Sequence, residues 1–131
     1  MNIAGYSKRS LIDKLGVKAG MVVAIVNPPQ GYTLPEVSAP KELTPKSLDF
    51  IHLFLKRRSE LDDLFPGFKE ALALNGMLWV SWPKQASNVP TDLDENVIRA
   101  FGLAQGLVDV KVAAIDPVWS GLKFVYRLKD R

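Results

Sequence analysis

The sequence contains no cysteine and only one histidine, His52, among its 131 residues. Without cysteine the chain can form no disulfide, no thiolate metal site and no cysteine nucleophile. A single imidazole is too few for the usual zinc sites, so we expect no bound metal.

Long apolar stretches are also missing. No segment reaches the roughly 18 consecutive apolar residues that a membrane-spanning helix requires. Residues 1–18 lack the continuous apolar region of a signal peptide. These absences predict a cytoplasmic protein with no membrane partner.

Neither sign of charge is in large excess, because 17 basic residues accompany 14 acidic ones and the net charge is +3. This balance does not by itself indicate a nucleic-acid partner. Hydrophobic residues make up 47% of the chain, a fraction ordinary for a soluble globular protein. The length predicts a single domain that spans residues 1–131.

Three short apolar segments predict buried parallel strands at residues 21–26, 48–55 and 77–82. Asn75 and Gly76 are predicted to end a helix and to turn the chain into the third of these strands. Residues 107–115 and 122–128 predict two more strands. Their link is too short for a parallel crossover, so they are expected to form an antiparallel hairpin.

Helical spacing of apolar residues predicts three helices, with Ser7, Ser59 and Thr91 as their N-terminal caps. Pro66 lies inside the second helix, where we expect a kink or a restart. Residues 30–47 carry three evenly spaced prolines and no sustained period, so they are interpreted as a loop.

The order of these elements resembles that of class I methyltransferases whose early elements have been removed. Residues 15–23 resemble the approach to the first strand of those enzymes, and residues 68–80 resemble their passage from a helix into the fifth strand. The whole chain is also similar to a family of small, uncharacterised bacterial proteins with methyltransferase-like features, through residues 49–54, 78–84 and 118–123. The resemblance implies an α/β, truncated Rossmann-like three-layer sandwich. It would have about five strands, a parallel core and a C-terminal antiparallel hairpin.

The turn after the first strand differs from the methyltransferase pattern, in which a glycine-rich turn approaches S-adenosylmethionine. Here residues 27–31 include Pro28 and Pro29, which remove two backbone donors from that place. Only 21 residues, 27–47, separate the first two strands, whereas two βα units need on the order of 50 or more. We therefore expect the ribose-binding strand to be absent and predict no cofactor, S-adenosylmethionine included.

The shortened sheet would leave residues 21–26 at an edge, and an apolar edge strand invites pairing with another chain. Either residues 30–47 or a second protomer could cover it. We favour the first, because prolines tolerate an edge position. The expected state is a monomer or a weak dimer.

Five residues lie at or just beyond strand ends, on the side of the sheet where α/β proteins bind ligands. They are Asn27, Lys56, Trp82, Lys84 and Trp119. We predict a shallow pocket in which the two tryptophans stack on a planar or apolar group while Lys84 or Lys56 holds an anion. The alternative is that the tryptophans only close the sheet end against the loops.

No residue is predicted to be catalytic, and His52 is interpreted as a core histidine rather than a general base. The leading hypothesis is a non-catalytic, methyltransferase-like domain that binds a small ligand or a protein partner. The first alternative is a small-molecule enzyme such as an S-adenosylmethionine-dependent methyltransferase. The second is a nucleic-acid binder that uses the basic residues Lys8, Arg9, Lys14, Lys18 and 56–58.

Overall fold

A computed structural model describes residues 8–32, 34 and 42–131. These residues form three α-helices, two short 3-10 turns and one five-stranded sheet. In chain order the main elements are α1 (Lys8–Leu15), β1 (Val23–Val26), β2 (Leu48–Phe54), α2 (Arg58–Ala71), β3 (Leu72–Pro83), α3 (Glu95–Ala104), β4 (Leu107–Ala114) and β5 (Trp119–Tyr126).

The sheet has the order β1-β2-β3-β5-β4. Strands β1, β2 and β3 are parallel, whereas β5 runs antiparallel to β3 and β4 runs antiparallel to β5. Only residues 115–118 join β4 to β5, which is long enough for a hairpin but not for a crossover. The predicted α/β, Rossmann-like fold with a parallel core and a C-terminal antiparallel hairpin is confirmed.

Two apolar clusters, one on each face of the sheet, make this a three-layer structure. On one face α2 and α3 pack through Leu61, Phe65 and Ile98. On the other face α1 packs through Leu15, which contacts the side of the sheet that carries Trp79. Burial of these side chains stabilises the fold by roughly 1.5–3 kcal/mol for each large apolar group.

The start of β3 differs from the prediction. The strand begins at Leu72, directly after α2, and Asn75 and Gly76 lie inside it rather than in a turn. Leu72 pairs with Leu48 and Met77 pairs with Phe50, so residues 73–76 bulge out of register. Asn and Gly are unfavourable in regular strands, and this irregular part of β3, rather than a helix end, accommodates Asn75 and Gly76.

The starts of α2 and α3 also differ from the predicted caps. Glu60 Oε1 accepts hydrogen bonds from the backbone N–H groups of Lys56 and Arg57, so α2 begins one residue before Ser59. Asp94, not Thr91, caps α3, since its Oδ1 accepts from the Val97 N–H at 2.8 Å. Ser7 lies outside the described residues.

Helix α2 continues from Arg58 to Ala71 through Pro66, where a kink or a restart was predicted. Proline removes one backbone donor and displaces the carbonyl four residues earlier, that of Asp62. Both residues are exposed, so water can satisfy this carbonyl. The helix therefore need not end there.

Strand β1 is shorter than predicted, Val23–Val26 instead of residues 21–26, and it lies at an edge of the sheet. Residues 33 and 35–41 of the segment predicted to cover this edge, 30–47, lie outside the described residues. No helix in the described part of the chain is long and apolar enough to cross a membrane.

Candidate functional site

A cavity of about 470 Å³ opens at the carboxyl ends of β1 and β2. We call it the Trp119 cavity. It is lined by Asn27, Pro28, Pro29, Phe54, Lys56, Glu60 and Trp119. The structure therefore brings together three of the five predicted site residues, Asn27, Lys56 and Trp119.

The strands determine where these side chains lie. Asn27 follows β1 directly and has a left-handed backbone with φ 55°, which lets the chain turn sharply at the strand end. Lys56 follows β2, and Trp119 is the first residue of β5. Phe54 packs edge-on against Trp119 with ring centroids 5.2 Å apart, so the two rings form one aromatic wall.

Lys56 supplies the positive charge of the Trp119 cavity. Its side chain is exposed, and no carboxylate lies within salt-bridge distance of its ammonium among the described residues. Glu60 lines the same cavity, but one of its oxygens already accepts two backbone hydrogen bonds at 2.9 and 3.0 Å. The cavity thus offers an available cation beside a partly occupied carboxylate.

Trp82 and Lys84 line a second cavity of about 640 Å³, which we call the Trp82 cavity. Trp82 belongs to the apolar cluster on the α2 and α3 face, whereas Trp119 belongs to the cluster on the α1 face. The expectation that both tryptophans share one pocket was wrong. Trp82 pairs with Ser120 in the β3–β5 ladder, and because side chains alternate, the preceding Trp119 points to the opposite face.

His52 lies at the centre of a buried polar network. Its side chain is fully buried, its Nδ1 lies 2.6 Å from the Tyr32 hydroxyl and its Nε2 lies 2.6 Å from the Ser81 hydroxyl. Burial lowers the pKa of His52 from 6.5 to about 3. Both ring nitrogens of this buried histidine therefore have hydrogen-bond partners.

Sequence reasoning did not identify the two partners of His52. Ser81 fits because residue 121 is glycine, since a Cβ there would lie 2.8 Å from Ser81 Oγ. Tyr32 follows the turn that lines the Trp119 cavity, and its hydrogen bond holds that turn against the sheet. The signal in the sequence was the presence of two polar residues, His52 and Ser81, in two mainly apolar strands.

The basic residues 56–58 have different roles, because Arg58 makes structural hydrogen bonds whereas Lys56 lines the Trp119 cavity. Arg58 donates its backbone N–H to Asp92 Oδ1 at 2.8 Å and its Nε to the Asp92 carbonyl oxygen at 3.4 Å. Of the three, Lys56 alone lines the Trp119 cavity. In the described residues no group of three potential metal ligands comes together.

No protein-family model matches this sequence, and no curated protein matches it. Solved structures do match its fold. A methyltransferase from Aquifex aeolicus that depends on S-adenosylmethionine superposes with a TM-score of 0.67 at 13% identity, covering 92% of this chain and 89% of that one. The magnesium protoporphyrin IX methyltransferase of Synechocystis, solved with S-adenosylhomocysteine, gives 0.62 at 11% identity over 91% and 82% of the two chains.

A third match is a Burkholderia thailandensis methyltransferase solved with 1,6-didemethyltoxoflavin and S-adenosylhomocysteine. Its TM-score is 0.59 at 11% identity, over 87% of this chain and 73% of that one. The chain has a truncated class I methyltransferase fold. This result contradicts the expectation that no cofactor is involved, because proteins of the same fold have been solved with S-adenosylhomocysteine bound.

Proposed function

We propose that this protein is a methyltransferase-like domain that binds S-adenosylmethionine in the Trp119 cavity. One observation carries the proposal: in this fold, a cavity with an aromatic wall and a lysine that forms no salt bridge with the described residues lies at the carboxyl ends of β1 and β2. Ligands of open α/β sheets bind at that end. The volume of about 470 Å³ falls in the range of about 300–1,000 Å³ that is usual for small-molecule sites.

The chemical groups of the cavity complement those of the ligand. The Lys56 ammonium can bind the ligand carboxylate, and the second oxygen of Glu60 can accept from its ammonium group. Trp119 and Phe54 offer ring faces on which adenine can stack or a sulfonium can rest. The side-chain amide of Asn27 can donate to or accept from the remaining polar atoms.

The two prolines in the turn after β1 determine how the ligand can be held. Pro28 and Pro29 cannot donate backbone hydrogen bonds, so the anionic part of the ligand must be held by side chains rather than by the turn. This makes Lys56 the main electrostatic contact. Affinity should therefore depend on salt and on this one side chain more than it would with a backbone cradle.

The cavity supports binding better than it supports acid–base catalysis. Lys56 and Glu60 are the titratable side chains among the described residues that line it, and Glu60 is partly occupied by backbone N–H groups. His52 lies behind Phe54, buried and hydrogen-bonded at both nitrogens. A general base needs direct access to the proton that it removes, which this histidine lacks.

Isothermal titration calorimetry with S-adenosylmethionine and S-adenosylhomocysteine tests the proposal. Unmodified protein should give saturable heat with a Kd below about 100 µM, which corresponds to roughly −5.5 kcal/mol. Lys56→Gln should weaken binding about tenfold through the loss of one charge-assisted hydrogen bond. Lys84→Gln, in the other cavity, is the matched control and should leave the Kd unchanged.

Two results would overturn the proposal. One is the absence of heat at millimolar concentrations of both compounds. The other is equal weakening by Lys56→Gln and Lys84→Gln, which would show a general charge effect rather than a site at Lys56.

A further inference from the structure

The second cavity has the features of a ligand site of its own. We propose that the Trp82 cavity binds a small planar carboxylate, an aromatic or heteroaromatic acid, with its ring against Trp82 and its carboxylate at Lys84. The proposal does not depend on the Trp119 cavity, because the two cavities share no lining residue and their tryptophans lie on opposite faces of the sheet.

Trp82 is buried except for 7% of its surface, yet its indole N–H has no hydrogen-bond partner among the described residues. By contrast, the indole N–H of Trp79 donates to the Leu15 carbonyl oxygen at 3.1 Å. Every fully buried side-chain N or O in the described part of the chain has a partner. The Trp82 N–H is therefore not fully buried, and because this residue lines the cavity we assign the N–H to it as a donor.

Lys84 lines the same cavity and is half-buried, and no carboxylate lies within salt-bridge distance of its ammonium among the described residues. Two acids also line the cavity, but both are engaged. Asp94 Oδ1 accepts the Val97 N–H as the cap of α3. Glu95 pairs with Arg99. The Trp82 N–H and the Lys84 ammonium are therefore the donors that the cavity offers to an anion.

This arrangement selects the class of ligand. Only 7% of Trp82 is exposed, so it contacts a ligand over a small area, which suits a small flat ring that carries an acceptor for the N–H, and one ammonium balances one negative charge. Glu95 is compensated by Arg99, but no cation is paired with Asp94 among the described residues, so the cavity suits a singly charged anion better than a doubly charged phosphate. A monocarboxylate therefore fits better than a phosphate.

The three tryptophans provide a direct readout, because each has its own indole N–H signal in a two-dimensional ¹H–¹⁵N NMR spectrum. The probes are 4-hydroxybenzoate and its neutral counterpart 4-hydroxybenzamide, titrated to about 10 mM, where complexes with a Kd near 1 mM are visible. We expect the Trp82 signal to move saturably with the carboxylate. The signals of Trp79 and Trp119 should stay in place.

The charge dependence is tested with the amide and with two matched variants. The neutral amide should bind about tenfold more weakly, and Lys84→Gln should weaken binding of the carboxylate by a similar factor. Lys56→Gln, at the other cavity, should have no effect on the Trp82 signal. Inorganic phosphate, titrated alone, should shift this signal less than the carboxylate does.

Several outcomes would overturn the proposal. They are an unmoved Trp82 signal, equal movement of the Trp82 and Trp119 signals, equal affinity for acid and amide, or tighter binding of phosphate than of the carboxylate. The comparison of acid with amide uses unmodified protein, so it stands even where a variant fails to fold.

Discussion

The hydroxyl of Tyr32 lies 2.6 Å from Nδ1 of His52, across twenty residues of sequence. Tyr32 also packs edge-on against Phe54 with ring centroids 4.9 Å apart. Phe54 lines the Trp119 cavity, and the turn before Tyr32 lines it as well. One hydrogen bond and one aromatic contact thus fix the turn relative to the wall of the cavity.

Tyr32→Phe should destabilise the fold by about 1–3 kcal/mol, because it leaves a nitrogen of a buried imidazole without a partner while keeping the aromatic packing. Urea unfolding followed by circular dichroism measures the free energy of unfolding. A change smaller than about 0.5 kcal/mol would mean that water replaces the hydroxyl or that Tyr32 is not held there.

Stability should fall as the pH is lowered through the range in which His52 is neutral in the folded state and protonated in the unfolded state. Burial lowers the pKa of His52 to about 3 from 6.5, so the unfolded chain binds the extra proton between these values. In that interval the His52 contribution should decrease by roughly 1.4 kcal/mol per pH unit, and it is fully present above pH 6.5.

Denaturant unfolding at a series of pH values, compared between unmodified protein and His52→Gln, isolates this contribution from that of the carboxylates. The difference between the two proteins should shrink as the pH falls below 6.5. Parallel curves for the two proteins would show that His52 does not titrate differently in the folded and unfolded states.

Replacing each of two helical glycines with alanine should change the free energy of unfolding in opposite directions. A Cβ at Gly102 would lie 2.1 Å from Cε1 of Phe124, so Gly102→Ala should destabilise by about 1–3 kcal/mol or more through overpacking. Gly67 has no heavy atom within 4 Å of its Cβ position. Gly67→Ala should therefore stabilise by about 0.5–1 kcal/mol, since alanine favours the helix.

Thermal unfolding of both glycine variants gives the comparison directly. If Gly102→Ala were neutral, α3 would have to lie farther from β5 than the structure places it. If Gly67→Ala destabilised the protein, the region of α2 near Pro66 could not be regular helix.

The cap of α3 can be tested with two substitutions at one position. Asp94→Ala should cost about 0.5–2 kcal/mol, because the Val97 N–H loses its acceptor. Asp94→Asn keeps a side-chain oxygen at the same place and should cost much less. Equal losses in the two variants would assign the effect to the charge near the helix end rather than to the hydrogen bond.

Sequence patterns predicted the element types and the topology, because apolar runs, helical spacing and the length of the 116–121 link each restrict the chain to few arrangements. They failed where a choice depends on tertiary pairing. Asn75-Gly76 has the composition of a turn, but pairing of β3 with β2 holds it inside an irregular strand. The placement of Trp119 was missed because β5 begins at that residue, three positions before the predicted start.

The candidate site could be predicted only as a set of strand ends. Parallel topology places Asn27 and Lys56 at one edge, and the structure joins them with Trp119 in a single cavity. The face on which each tryptophan lies depends on strand register, which composition does not reveal. The Tyr32–His52–Ser81 network joins residues 20 and 29 positions apart, so no local pattern could indicate it.

Because β1 lies at the edge of the sheet, its detachment should be coupled to ligand binding in the Trp119 cavity. Four residues pair this strand to β2, and Asn27 follows immediately, so detachment of β1 would also dismantle one wall of the Trp119 cavity. A ligand bound there must be released before β1 can open. It should therefore slow amide hydrogen exchange at Val23–Val26 by a factor that rises with ligand concentration, while β3 and β5 exchange at unchanged rates.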